Sequence, residues 1–125
     1  MSDEAEITTT LTDDVRVVRI IGDFDLDSTD DFEQAFAVPA DGSVRATVAD
    51  LSRVTFADSS FLHLLLSARQ RHQSAGLPLV LADISPLVRR LLDLTDTARV
   101  FAIAPHLLAA METARGAEGS RTPRP

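Results

Sequence analysis

The segment richest in chemistry is Asp58-Ser59-Ser60, lying between an apolar stretch that ends in Val54-Thr55-Phe56 and a leucine-rich stretch that begins at Phe61-Leu62. Two adjacent hydroxyls at the mouth of a helix have two uses. As caps they satisfy backbone N–H groups that would otherwise be unpaired, each cap contributing about 1 kcal/mol, and Asp58 suits the cap position equally. As a phosphoryl acceptor, Ser59 would gain about −1.5 to −2 charge at neutral pH together with new acceptor oxygens. A helix N-terminus favours that anion. Asp58 and other nearby carboxylates oppose it, and such opposition suits a reversible switch.

Other constellations carry less. Asp23, Asp25 and Asp27 alternate in the manner of a calcium loop, but an EF-hand needs Gly at the sixth place and Glu at the twelfth, where this chain has Ser28 and Gln34. The interleaved Phe24 and Leu26 read instead as a strand end entering a core, with Asp27 or Ser28 capping the helix that follows. Ser59 and His63 stand four apart on one helix face, as a nucleophile and base would, yet no Gly-x-Ser-x-Gly elbow accompanies them. His63, His72 and His106 show no metal-ligand spacing and read as surface or partly packed residues. Asp50, at a strand end, invites comparison with the phosphoacceptor of a response-regulator receiver. That family needs a late lysine, and every basic residue here is arginine. No catalytic set, cofactor motif or metal site is expected.

The elements that must position these residues are legible from composition and periodicity. The 125 residues carry 12 basic and 19 acidic side chains, a formal charge of −7, and no cysteine. One domain of this size buries enough surface for a core without disulfides or thiolate metal sites. The acidic balance opposes nonspecific binding to nucleic acid or anionic lipid. No apolar run approaches the roughly 18 residues of a membrane span, and the start Met1-Ser2-Asp3-Glu4 is the reverse of a basic signal peptide, so a soluble cytoplasmic protein without membrane insertion is expected. Charge is uneven, with 14 acidic and 4 basic residues in positions 1–58 against 5 and 8 in positions 59–125.

Ile7 to Leu11 and Val15 to Ile21 are β-branched runs separated by Thr12-Asp13-Asp14, which predicts a hairpin. Phe32, Ala35 and Phe36 recur at helical spacing until Pro39, Asp41 and Gly42 intervene. Val44 to Leu51 reads as a strand buried on both faces, with Ser52 to Asp58 as the following connection. A helix starts at Ser59 and ends at Gly76. Leu77 to Ala82 is a strand, Pro86 opens a helix carrying Leu87, Val88, Leu91, Leu92 and Leu94, and Val100 to Ile103 is a last short strand. Pro105 starts a final helix through Met111, and residues 116–125 read as a disordered tail after a domain spanning 1–115. The order predicts an α/β fold: a mixed sheet with an N-terminal hairpin, parallel βα units and about four helices packed on the sheet.

With those elements in place, the chain resembles a STAS domain, the fold of sulfate-transporter tails and anti-sigma factor antagonists. The resemblance rests on Asp50-Leu51-Ser52, Val54-Thr55-Phe56 and Asp58-Ser59-Ser60 followed by Leu62. It is extended by Gly22, Asp25 and Ser28 early in the chain, and by Leu92-x-Leu94-Thr95 with Phe101-x-Ile103 late in it. Phe24 replaces a more usual Leu, Asp96 stands where the family often has Gly, and Phe61 replaces the small Gly usual after the two serines.

The resemblance implies that Ser59 is phosphorylated by an anti-sigma factor that is also a serine kinase, and that the domain is a substrate and not an enzyme. The unphosphorylated form would bind the kinase and release its sigma factor, the phosphorylated form would let go, and a serine phosphatase would reset the system. Asp23, Asp25, Ser28, Asp58, Ser60 and Phe61 are the expected partner contacts. On apolar helix faces a residue like Phe61, with the leucines after it, is more often core than interface; at an interface, Phe61 would either enlarge an apolar contact or obstruct close approach. The resemblance leaves a monomer or weak dimer open, and an alternative is a STAS module that is not phosphorylated, or a small subunit of a signalling or lipid-transport assembly.

Overall fold

Two β-branched runs joined by two aspartates form the hairpin that starts the sheet. The computed structural model describes residues 5–120. Strand β1 (Glu6–Thr12) pairs antiparallel with β2 (Val15–Asp23), with Thr12 opposite Val15 across the two-residue turn. Asp13 and Asp14 both have positive φ, 53° and 67°. A two-residue turn of this hand matches the twist of its strands, and Asp is among the few non-glycine residues that tolerate it. Strands β3 (Ala46–Phe56), β4 (Leu79–Ala82) and β5 (Ala102–Ala104) follow in parallel, and the sheet order is β1-β2-β3-β4-β5.

Helices α1 (Thr29–Phe36), α2 (Ser59–Ser74), α3 (Pro86–Leu94) and α4 (Leu107–Ser120) divide between the two faces. Alternation along the strands sends Val18, Ile20, Ala49, Leu51 and Leu81 into a core with Phe32, Phe61, Leu65 and Leu92 of α1, α2 and α3. The intervening Val17, Val48, Val80 and Ala82 meet Ala110, Met111 and Ala114 of α4 on the other face. The mixed sheet with parallel βα units and four helices is the architecture the sequence predicts.

Several boundaries differ from the sequence reading; β4, for example, begins at Leu79 and not at Leu77. Strand β3 does not stop at Leu51 but runs on to Phe56, leaving only Ala57 and Asp58 as the connection to α2. A bulge makes this extension possible: Arg19 pairs with Asp50 and Ile21 with Arg53, so β3 carries one extra residue at that point. Asp50 holds the bulge, accepting the Ser52 N–H at 3.1 Å and the Ser52 hydroxyl at 2.8 Å on Oδ1, and Arg19 Nε at 3.0 Å on Oδ2. Near the C-terminus, Ala98–Val100 form a 3-10 turn, so the last strand begins at Ala102 and not at Val100. Helix α4 starts at Leu107, where His106 Nδ1 accepts the Ala109 N–H at 3.1 Å, and it extends beyond Gly116, where a tail was expected; residues 121–125 lie outside the described residues.

At the end of the sheet where the parallel strands begin, the core closes on a buried polar group. Thr47 Oγ1 accepts from Arg16 Nη2 at 3.0 Å and Nε at 3.3 Å, so its own proton goes to His72 Nε2 at 2.8 Å. His72 Nδ1–H then donates to the Ala68 carbonyl at 2.8 Å, which fixes the neutral tautomer. Arg16 Nη1 donates to the Ala37 carbonyl at 2.6 Å and ties the end of α1 to the sheet. His72 is 1% exposed, so the sequence placement of all three histidines at or near the surface fails here.

Candidate functional site

The bulge and the extended β3 carry Phe56 alongside the end of β2, where the Phe24 N–H donates to the Phe56 carbonyl at 2.9 Å. The chain after β2 and the chain before α2 therefore lie side by side at the end of the sheet where the parallel strands finish, the usual place for sites in an open α/β sheet. The hydroxyl of Thr55, the penultimate residue of β3, donates to Asp23 Oδ1 across the same pair of strands.

Asp58 is the N-cap of α2, in extended backbone conformation. Its Oδ1 accepts the Ser60 N–H at 3.0 Å and the Ser60 hydroxyl at 2.7 Å, while its carbonyl accepts the Leu62 N–H at 3.1 Å. The Ser60 hydroxyl bond, aided by backbone N–H groups, holds the Asp58 carboxyl below the usual carboxylate range. Ser59, the first residue of α2, is exposed, and no hydrogen bond engages its hydroxyl among the described residues. Capping is thus done by Asp58, with Ser60 locked to it, and the Ser59 oxygen is left at the surface.

Across from this helix start, Asp25 caps a 3-10 turn (Leu26–Ser28), accepting the Asp27 N–H at 3.0 Å. Of the two residues expected to cap the helix that follows, Asp27 and Ser28, it is Ser28 that occupies the N-cap position of α1. Ser28 precedes α1 without a side-chain cap bond and is buried, its hydroxyl 3.5 Å from Asp25 Oδ1, so it supports the turn from below. The tight turn lifts Leu26 out of the expected core: it is 73% exposed, and Phe56 beside it is 48% exposed. Phe24, Asp25, Leu26, Asp27, Phe56 and Asp58 line a shallow depression of about 270 Å³. Its lining is acidic and apolar, with no basic side chain.

The structure brings together Asp23, Asp25, Asp58, Ser59 and Ser60, and it removes two expected partner contacts, Ser28, buried beneath the Asp25 turn, and Phe61. That side chain is 0% exposed and packs its ring against Phe24 and Phe32, with centroids 5.1 and 6.0 Å away. Position 61 points inward because it shares a helix face with Leu65 and Ala68, so it cannot be the partner contact that its place beside the serines suggested. Sequence reasoning missed Leu26 and Phe56 as exposed apolar groups. The signal available was Leu26 flanked by Asp25 and Asp27, a residue whose neighbours on both sides need water. Among the described residues no group of three or more His, Asp or Glu side chains is arranged to hold a metal ion, and no helix is long and apolar enough to cross a membrane.

Comparison with known proteins agrees with this architecture. The family model of the STAS domain matches residues 6–110. A STAS-domain containing protein of Pseudomonas aeruginosa is 33% identical over 87 residues, which cover 70% of this chain and 85% of that protein. The crystal structure of an anti-sigma factor antagonist from Mycobacterium paratuberculosis superposes with a TM-score of 0.77 at 27% identity, covering 92% of this chain and 97% of that one. The Bacillus anti-sigma factor antagonist SpoIIAA, in its unphosphorylated form, shares the fold with a TM-score of 0.70 at 20% identity, covering 90% of this chain and 96% of that one. By the family model, the curated relative and the sheet and helix arrangement alike, the chain belongs to the STAS domain family.

Proposed function

We propose that the protein is an anti-sigma factor antagonist that works by partner switching, with Ser59 as its phosphorylation site. In the unphosphorylated form it binds an anti-sigma factor serine kinase and frees the sigma factor. Phosphorylation of Ser59 ends that binding, and a serine phosphatase restores it. The protein is then a substrate in the cycle, acting in the cytoplasm where sigma factors work. The observation that carries the reading is the division of labour at the start of α2: Asp58 and Ser60 satisfy the cap, while Ser59 stands exposed without a partner.

The surroundings support a charge switch. Asp25, Asp27 and Asp58 rim the depression next to Leu26 and Phe56. A kinase can bury the two apolar side chains while its cations face the carboxylates. A phosphoryl group at Ser59 adds about −1.5 to −2 charge to this acidic rim. Burying that charge in an apolar contact is costly, so the interface is weakened. That SpoIIAA has been solved in both unphosphorylated and phosphorylated forms is in keeping with such a cycle. Asp23, Asp25, Asp58 and Ser60 remain in the proposed contact, with Leu26 and Phe56 in place of Phe61.

The test is incubation with the cognate kinase-type anti-sigma factor and ATP, with the phosphate located by mass spectrometry, together with pull-down of the same partner. Modification at Ser59, retained binding without ATP-driven release in Ser59→Ala, and weakened binding in Ser59→Asp are the expected results. Phosphate placed elsewhere, or equal affinity of the two variants, would sink the switch.

A further inference from the structure

The outer edge of β1 carries an interaction surface of a different kind. We propose that it pairs antiparallel with β1 of a second copy, joining two five-stranded sheets into one. The proposal is independent of any role of Ser59.

The hydrogen-bonding direction follows from the turn. In a two-residue hairpin the closing pair, here Thr12 and Val15, exchanges both backbone bonds, and the ladder alternates from there. Thr10, Thr8 and Glu6 therefore bond to β2, whereas Ile7, Thr9 and Leu11 turn their N–H and C=O groups outward. Among the described residues nothing pairs with this edge. Strands left open are normally protected by lysine, proline, a bulge or shortness. β1 is seven residues long, reads Glu-Ile-Thr-Thr-Thr-Leu-Thr, and pairs with β2 in continuous register.

The same edge is self-complementary. A two-fold axis through Thr9 sets Thr9 opposite its own copy and Ile7 opposite Leu11 of the other chain, twice, so that all three outward residues pair in one register and all seven strand positions overlap. Each Ile7–Leu11 pair lies on the face covered by α1, because Ile7 is partnered with Ile20 and Thr9 with Val18. Leu11, now 55% exposed, gains an apolar neighbour. Glu6 falls opposite Thr12, so no like charges face each other in the strands. A single strand pair buries less than a standard interface, so association is weak and concentration-dependent. Asp31 of α1 lines the same surface groove as Ile7 and Thr9, so one copy of it comes to lie on each side of the seam, and added salt strengthens the dimer by screening their repulsion. Because the paired strands run oppositely, the two Ser59 ends point away from each other and both stay accessible.

Sedimentation of the full chain over a wide concentration range, at low and high salt, combined with residue-resolved amide exchange, tests this. The expected result is a monomer–dimer equilibrium favoured by salt. Protection at Ile7, Thr9 and Leu11 should rise with concentration, while Glu6, Thr8 and Thr10 stay protected throughout. Thr9→Pro removes an outward N–H, and Thr9→Glu places like charges across the axis; each should abolish the dimer, and urea unfolding checks that the monomer is intact. A sample that stays monomeric at every concentration and salt level overturns the proposal, as does a dimer that survives Thr9→Glu or protects amides elsewhere.

Discussion

The ring of Phe61 meets that of Phe24 edge to face, 5.1 Å between centroids at 63°. This contact joins the two halves of the candidate site from beneath. Phe24 leads directly into the Asp25 turn, and Phe61 follows directly on the serines, so the pair sets how far the exposed Leu26 stands from the exposed Ser59. Phe61 is therefore an internal spacer, not part of the surface.

Truncating that spacer should unfold the site from within. Phe61→Ala removes a fully buried ring from a cluster that also holds Phe32 and Phe36, and a loss of about 3–5 kcal/mol in urea unfolding is expected. Phe61→Leu should cost markedly less. Equal and small losses in both would show that the ring is not the spacer described.

The cap at Asp58 is a separate contribution. Asp58→Ala leaves the Ser60 N–H and hydroxyl without their acceptor, and about 1 kcal/mol of stability should disappear, with Asp58→Asn retaining most of it. Because the folded carboxyl titrates below its ordinary value of 3.8, its contribution is present above that pH and fades as pH falls through and below it. Acid unfolding curves of wild type and Asp58→Asn should converge in that range. Persistent separation there would count against the carboxylate as the capping species.

Leu26 offers the cleanest test of the proposed contact, since its side chain is 73% exposed and its removal should change stability by no more than about 0.5 kcal/mol. In the partner complex it is expected to be buried, so Leu26→Ala should weaken binding about tenfold or more, equivalent to about 1.4 kcal/mol. Calorimetric titration with the kinase reads this directly. Unchanged affinity would move the contact away from the depression between the turn and α2.

Much of this arrangement is legible in the sequence. The order of strands and helices follows from runs of β-branched residues and leucines punctuated by Gly76 and Pro86, and Asp58 declares itself as a cap by type and place. What escapes is long-range. Ser52-Arg53 reads as the start of a loop because a polar pair interrupts the apolar run, yet Asp50, reaching both Ser52 and Arg19, turns the interruption into a bulge within one strand. Leu26 leaves the core position expected of it because turn geometry, not hydrophobicity, decides where it points, whereas Phe61, readable either as core or as a partner contact, follows its helix phase into the core. His72 sits in the polar run Arg69-Gln70-Arg71-His72-Gln73, and only its helical spacing from Leu65 and Ala68 hints that it faces the sheet.

That buried histidine makes stability depend on pH. Burial, with the Arg16 guanidinium 3.4 Å from Nε2, pushes His72 below its ordinary value of 6.5, despite the opposing bond to the Ala68 carbonyl. Arg16 from β2 is the charged group that meets the ring, Thr47 from β3 is neutral, and Ala68 offers only its carbonyl. In the unfolded chain the imidazole takes up a proton near pH 6.5, while the folded ring resists it, because a proton on Nε2 would confront both the cation and the donating Thr47 hydroxyl. Below that pH the unfolded state binds more protons, so folding stability must fall as pH drops through 6.5 toward the lower folded value. The slope from this one group approaches about 1.4 kcal/mol per pH unit at most. Urea unfolding at about pH 7.5 and about pH 5.5 should show a loss in wild type that exceeds the loss in His72→Gln, which cannot titrate, and the difference removes the background from carboxylates. If the two proteins lose stability in parallel across that interval, the ring is not held neutral by Arg16 and its burial, and the proton assignment through Thr47 fails with it.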